Sequence, residues 1–166
     1  MDDDRTEFDR FVREHAQAVR RYALSLTRDP WTADDVLQET FLRAWKYWPT
    51  FRGTSTREAW VIRICRNVAF DVLASQVAHV TLDEEHICDD RVARLNSPLL
   101  SLDVVCELMQ LGLEHREVVF LVDVLEYDYE TTAEILEIPV GTVRSRVHRA
   151  RALLRTSIEQ GDEKTA

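Results

Sequence analysis

Four glycines and four prolines in 166 residues leave little material for tight hairpins, and few windows alternate strictly between apolar and polar residues. Helix-forming residues dominate instead, so the composition points to an all-α protein. Cysteine is scarce as well. Cys65, Cys88 and Cys106 stand apart, none in a CxxC pair or near a histidine at metal-ligand spacing. An odd count without a signal peptide fits a reducing cytoplasm and three plain thiols. The opening Asp2-Asp3-Asp4 is the opposite of a basic secretory n-region. No apolar run approaches the ~18 residues of a membrane span, so no membrane segment is expected. Catalytic signatures are missing: there is no GxGxxG, Walker loop, HExxH or GxSxG. The five histidines are scattered, and the adjacent pairs Asp34-Asp35 and Glu84-Glu85 point apart on a helix rather than forming an acid/base dyad. The expectation is no catalytic residue, no metal ligand and no cofactor.

What is present is charge, unevenly spread. The net charge is −9, which disfavours a protein that coats nucleic acid unaided, because phosphate neutralisation drives non-specific binding. Residues 1–76 are balanced, with twelve acidic and twelve basic side chains. Residues 77–102 hold five acidic against two basic. Residues 103–166 hold thirteen against seven, yet five of those seven lie between Arg144 and Arg155. A DNA-reading surface here is local, and a partner must supply further binding energy.

Apolar spacing divides the chain. Residues 6–28 form an amphipathic helix through Phe8, Phe11, Val12, His15, Val19, Tyr22 and Leu26. Asp29-Pro30 stops it and starts a second helix, 31–48. Its inner face is Val36, Leu37, Thr40, Phe41, Ala44 and Trp45. Residues 50–56 read as a loop, and Thr56 caps a third helix to about Gln76 with Trp60, Ile64, Val68 and Val72 on one stripe. The acidic, weakly periodic stretch 77–102 reads as a flexible linker. A second helical unit starts near Leu102, breaks at Gly112, and continues through a short helix from Tyr129 to Leu136 capped by Asp128. Pro139 opens a last helix to about Ile158, followed by a polar tail, 159–166. No internal repeat occurs.

Residues 129–156 make a helix-turn-helix pattern. Val143, Val147, Ala150 and Leu154 form the buried stripe of the second helix. One flank holds Thr142, Ser145, Arg146 and Arg149; the other holds Arg144, His148, Arg151 and Arg155. Recognition helices offer N-terminal residues to base edges and other cations to phosphates. Thr142, Ser145, Arg146 and Arg149 are therefore candidates for base contact, and Arg144, His148 and Arg151 for phosphate. A second constellation, 48–67, interleaves Trp48, Phe51 and Trp60 with Arg52, Arg57, Arg63 and Arg66 and with Thr54, Ser55 and Thr56, a mixture suited to unstacked bases. Trp60 belongs with the core by its spacing. The outer face of helix 33–46 reads, on its residues alone, as ordinary solvated surface.

Asp34-Asp35-Val36-Leu37-Gln38-Glu39-Thr40-Phe41-Leu42-Arg43-Ala44-Trp45, then Phe51-Arg52-Gly53, Trp60 and Arg63-Ile64-Cys65-Arg66-Asn67, then Arg116-Glu117-Val118-Val119 and Ile138 through Arg151 together resemble the extracytoplasmic-function (ECF) sigma factors of bacterial RNA polymerase. The motifs occur in the family's order across almost the whole chain. The resemblance implies two small helical domains joined by a flexible linker, the C-terminal one a helix-turn-helix. Region 2 would cover 1–76, the acidic linker 77–102 and region 4 103–158. It implies that Asp35, Gln38, Glu39, Leu42 and Arg43 meet the β′ clamp helices of core RNA polymerase. It implies that Phe51, Arg52, Thr54, Ser55 and Thr56 capture a base of the minus-ten element, with Arg63, Arg66 and Asn67 along the adjacent DNA. Region 4 would read the minus-thirty-five element and rest on the β flap. An anti-sigma factor is a further partner by family analogy.

The chain departs from the family pattern at several places. Leu111-Gly112 replaces a frequent Leu-Pro, Glu137 stands at a turn position that favours glycine with φ > 0, Thr132 replaces an apolar residue, Ala74-Ser75-Gln76 replaces a basic run, and Arg57 replaces an aromatic. Extended, the linker reaches about 80 Å, enough for two DNA sites roughly 70 Å apart, two helical turns. The expected function is promoter-specific initiation by a cytoplasmic subunit that performs no chemistry. Two other readings differ in what they require. A stand-alone helix-turn-helix regulator would bind its operator tightly without polymerase, and a small helical enzyme would need a pocket with converging titratable groups.

Overall fold

Three helix starts in this protein are set by capping side chains already visible in the sequence, Asp29, Thr56 and Asp128. The computed structural model describes residues 2–53, 55–77 and 102–165, and among them there is no strand. The helices are α1 (Asp2–Thr27), α2 (Pro30–Tyr47), α3 (Arg57–Val77), α4 (Leu102–Gln110), α5 (Leu113–Val119), α6 (Tyr129–Leu136) and α7 (Val140–Thr165). A 3-10 turn at Trp48–Thr50 follows α2, and a π-helical turn at Phe120–Val124 follows α5. The chain divides into two compact units, one built on α1–α3 and the other on α4, α5, the start of α6 and α7.

In the N-terminal unit, α1 ends on Arg28, whose φ is 60°. Asp29 then caps α2, accepting from the Thr32 backbone N–H at 2.7 Å and from its hydroxyl at 2.6 Å. This satisfies an otherwise orphan donor of the first turn. Thr56 caps α3 by accepting from Ala59 N–H at 3.2 Å. The three helices pack on one another around Val19, Tyr22, Leu26, Val36, Ala44, Ile62, Cys65 and Val68, all nearly inaccessible. Trp48 closes one end of this core, its ring centroid 5.0 Å from those of Phe8 and Phe11. The buried Cys65 thiol, pushed up to about 12 by desolvation, stays protonated and sits 3.7 Å from the Val19 carbonyl.

In the C-terminal unit, Arg116 is buried, and its Nη1 donates to the carbonyls of Met109 at 3.2 Å and Leu111 at 2.7 Å. These acceptors lie at the end of α4, where helix geometry leaves carbonyls unpaired. Asp128 caps α6 through Thr131 N–H at 2.7 Å, as its position predicts. Glu137 adopts φ 56°, ψ 42° and donates its N–H to Ala133. The turn thus takes the left-handed conformation its place requires, with a side chain where glycine would be free of strain. Thr132 is fully buried, and its hydroxyl is unpartnered.

Several sequence expectations are corrected. Helix α1 starts at Asp2 rather than 6, since acidic residues suit the positive end of a helix dipole. Helix α7 continues to Thr165 rather than ending near Ile158, because Glu159, Gln160, Glu163 and Lys164 are good helix formers without an apolar stripe. The expected α3 stripe is displaced. Ala59, Val61, Ile62, Cys65, Val68 and Ala69 are buried, while Trp60, Ile64 and Val72 are only half-buried. The helix is covered by both α1 and α2, which broadens and turns its buried arc. Trp45, placed on the inner face of α2, is 42% exposed. Cys65 is a free, buried thiol, as expected; Cys88 lies outside the described residues. The linker expected at 77–102 lies almost wholly outside the described residues.

Replacing Glu137→Gly should stabilise the C-terminal unit by up to ~1 kcal/mol, the left-handed penalty of ~1–2 kcal/mol less glycine's extra chain entropy. Thermal unfolding should show a higher midpoint; a lower one would mean that the Glu137 side chain compensates for its own strain.

Candidate nucleic-acid interface

Helix α7 buries Val143, Val147 and Ala150 against α4 and α5. Its outward generatrix carries Gly141, Ser145, His148, Arg149 and Ala152, all exposed. Gly141 and Ala152 bracket the hydrogen-bonding Ser145, His148 and Arg149 there, a set that suits base edges. Arg144, Arg151 and Arg155 form one exposed flank. Arg144 lies 6.0 Å from the Tyr129 ring, and Arg151 forms a two-point contact with Asp123 at 2.5 and 3.2 Å. That hydrogen bond, first among its causes, raises the Arg151 pKa further. The opposite flank holds Arg146, whose side chain is 25% exposed and pairs with Glu114 of α5 at 3.1 Å. Arg146 therefore does not share the outward line of Arg149. Thr142 is half-buried at the helix start, where its N–H bonds the Pro139 carbonyl at 2.9 Å.

The N-terminal unit offers two surfaces. On the first, the Phe51 ring packs at a tilt against Trp60, with centroids 5.0 Å and planes 47° apart, and Trp60 in turn approaches Trp48 at 6.4 Å. Arg57 lies over Trp48 at 4.2 Å and pairs with Glu7, so its charge is committed inside the unit. Phe51 folds back over Gly53, where an added Cβ would stand 2.3 Å from the ring. Glycine is needed here for close approach rather than for an unusual φ. Arg52 is exposed, Ser55 half-buried and Thr56 engaged in its cap. Thr54 lies outside the described residues. Arg63 is half-buried, Arg66 stacks on Phe70 at 4.5 Å, and Asn67 is exposed.

The second surface is the outer side of α2. Asp35, Gln38 and Leu42 are exposed, Leu42 by 59%. Glu39 pairs with Arg43 at 2.7 Å, and Arg43 reaches Asp71 of α3 at 3.1 Å. Leu42 and Trp45 border a groove of about 540 Å³ between α1 and α2, which Arg5, Asp9 and Gln38 edge and Phe8, Val12 and Phe41 floor.

Comparison with known proteins decides the family. Sigma-70 region 2 matches residues 11–78, and Sigma-70, region 4 matches residues 101–154. The ECF RNA polymerase sigma factor SigM of Mycobacterium tuberculosis is 35% identical over 153 residues, which span 91% of this chain and 76% of SigM. The chain belongs to the extracytoplasmic-function sigma factors. SigC of the same species is also 35% identical, over 92% of this chain and 83% of its own. The sigma factor RpoE of Bartonella quintana, solved in complex with the anti-sigma factor NepR, superposes with a TM-score of 0.77 at 26% identity, covering 92% of this chain and 97% of its own. CnrH, solved with the cytosolic domain of CnrY, gives 0.70 at 25%, over 94% and 90%.

As a member of this family, the sigma factor works with core RNA polymerase in promoter-directed initiation. No helix among its described residues is long and apolar enough to cross a membrane. The fold brings Ser145, His148 and Arg149 onto one outward line and separates Arg146 from them. It groups Phe51 with Trp60 and Arg57, and it leaves Asp35, Gln38 and Leu42 on one exposed face. Sequence reasoning missed Trp45, Tyr129 and the carboxylates of Glu114 and Asp123. The exposure of Trp45 had no sequence signal, since its spacing matched the inner face. The carboxylates act across elements, which periodicity along one helix cannot report.

A Gly53→Ala substitution should expel the Phe51 ring from its seat. Tryptophan fluorescence should change as Phe51 leaves Trp60, with little effect on helical content. An unaltered emission spectrum would show that the loop absorbs the methyl group.

Proposed function

We propose that the N-terminal unit, residues 1–76, holds core polymerase and captures the minus-ten element, and that the C-terminal unit, 103–158, reads the minus-thirty-five element. In this reading 77–102 is the tether, and the tail 159–166, of which 159–165 continues α7, has no assigned part. Asp35, Gln38, Glu39, Leu42 and Arg43 meet the β′ clamp helices, joined by Trp45. An exposed Leu42 and Trp45 beside Gln38 fit a protein partner, because large apolar side chains left in water at a groove mark contact surfaces. Region 4 also rests on the β flap.

Phe51, Arg52, Thr54, Ser55 and Thr56 take the flipped minus-ten base, with Arg63, Arg66 and Asn67 beside the strand. The half-exposed, mutually tilted rings of Phe51 and Trp60 support this role, because aromatic side chains are what unstacked bases pack on. In α7, Ser145 and Arg149 read base edges together with Thr142. Arg144, His148 and Arg151 bind phosphates, and Arg146, leaning toward Glu114, takes the groove edge rather than its floor. One observation carries the reading: a helix in an acidic chain buries its apolar stripe and thereby spreads five of the seven Lys and Arg side chains of residues 103–166 over its outward line and two flanks.

The polypeptide performs no chemistry itself and acts in the cytoplasm. An anti-sigma factor is a further partner, as it is for RpoE of Bartonella quintana. With a net charge of −9, the chain alone binds duplexes weakly, and selectivity arises when core enzyme fixes both units on DNA.

Arg149→Ala should weaken promoter activity through the upstream element, with ~1–3 kcal/mol lost for a two-point guanine contact. Run-off transcription on upstream-element variants measures it, and unchanged selectivity would remove Arg149 from the base contacts. Combined Gln38→Ala and Leu42→Ala should sharply reduce co-purification with core polymerase. Full retention would return that face of α2 to ordinary solvated surface.

A further inference from the structure

A cleft of about 330 Å³ lies along α7, lined by Tyr129, Arg144, Val147, His148, Arg151, Ala152 and Arg155. Three guanidiniums and an imidazole converge there beside a phenol. The floor is the aliphatic side of Val147 and Ala152, so no acidic residue lines the cleft itself. One carboxylate reaches its edge from outside: Asp123, in the π-helical turn, grips Arg151 by two parallel contacts at 2.5 and 3.2 Å. Both partners remain partly exposed, so the pair is open to exchange with an incoming anion.

The geometry of that pair is informative. A guanidinium fork takes a carboxylate and a phosphodiester by the same two-oxygen arrangement. The Asp123 oxygens therefore occupy the place that two non-bridging phosphate oxygens would take. Arg144 stays close to Tyr129, and Arg155 follows Arg151 by one helical turn, so a phosphate arriving at Arg151 meets a second and a third donor at once. Resting on the DNA-reading role of α7, we propose that this cleft seats one backbone phosphate of the upstream promoter element, that Tyr129 and Arg155 belong to the seat, and that Asp123 is its internal competitor, neutralising Arg151 until DNA displaces it.

The device makes physical sense in an acidic chain. Each cation freed to neutralise phosphate adds about one released counterion and steepens the salt dependence accordingly. A resident carboxylate removes one such cation from non-specific binding. A phosphate held at the correct distance by Arg144, Arg155 and Tyr129 can still displace it, so Asp123 weakens loose encounters more than the docked complex. Asp123 thus acts on selectivity without touching a base.

The test uses holoenzyme reconstituted from core polymerase and the full chain, with promoter and scrambled duplexes followed by fluorescence anisotropy across a salt series. Asp123→Asn, which keeps the shape and removes the charge, should tighten binding to the scrambled duplex roughly threefold to tenfold and steepen its log–log salt slope by about one. Promoter binding should change less. Adding Arg151→Ala to Asp123→Asn should cancel the gain. Arg155→Ala should weaken promoter binding, and a methylphosphonate scan of the upstream element should find one position whose neutralisation harms the parent but not Arg155→Ala. Unchanged affinity and slope in Asp123→Asn would overturn the proposal. So would weaker binding, which would make Asp123 a brace that aims Arg151. Run-off transcription from the same preparations separates the two levels. Normal promoter-specific transcripts with an unresponsive Asp123→Asn remove the competitor alone; no transcripts from the parent remove the DNA-reading role on which it rests.

Discussion

Burial of Val143, Val147 and Ala150 against α4 and α5 is the contact on which the C-terminal unit's function depends. Once that stripe is fixed inward, 3.6-residue periodicity leaves Ser145, His148, Arg149 and Ala152 facing out and sends Arg144, Arg151 and Arg155 to one flank. No separate mechanism is needed to concentrate positive charge in an acidic protein. The apolar contact does it, with Arg116 fixing the start of the unit by donating to the Met109 and Leu111 carbonyls. The turn before α7 is held in a left-handed conformation at Glu137, despite the strain on a residue with a Cβ.

The N-terminal unit follows a different logic. Its core is closed by aromatic rings that run from Phe8 and Phe11 through Trp48 to Trp60 and end at the surface with Phe51. The surface loop at Phe51 is thereby tied to the buried core of the unit. Arg57 adds to this tie, bonded to Glu7 and stacked on Trp48. Its charge serves the fold, where the family pattern places an aromatic that would serve by packing alone. On α2 the balance is reversed. Leu42 and Trp45 stay partly exposed at the groove between α1 and α2, Trp45 against Phe8 at 5.0 Å, because the inner face is already filled by Ala33, Val36, Thr40 and Ala44.

Charges across the two units are handled alike. Arg43 is held by Glu39 and Asp71, Arg146 by Glu114 and Arg151 by Asp123. Such exposed pairs contribute about 0–1 kcal/mol each to stability, so their weight lies in where they point a guanidinium and in how much charge they leave for a phosphate. A sigma factor with a net charge of −9 has few cations to spare, and these pairs ration them.

The sequence alone determined the helical class, the break into two units, and the caps at Asp29, Thr56 and Asp128, because these depend on composition, periodicity and short-range hydrogen bonds. It also determined the inward stripe of α7 at Val143, Val147 and Ala150, though not at Leu154, which is half-buried; the left-handed turn at Glu137 followed from the family resemblance. Tertiary structure alone decided that Trp45 is left 42% exposed beside Phe8, that α3 turns its buried arc toward Val61 and Ile62, that Arg146 leans on Glu114 while Arg149 stands free of the core, and that Asp123 meets Arg151 across 28 residues of chain. The reason is common to all four. Periodicity along a helix ranks its faces by polarity, but which neighbour covers a face, and which charge it brings, is settled only when separate helices pack.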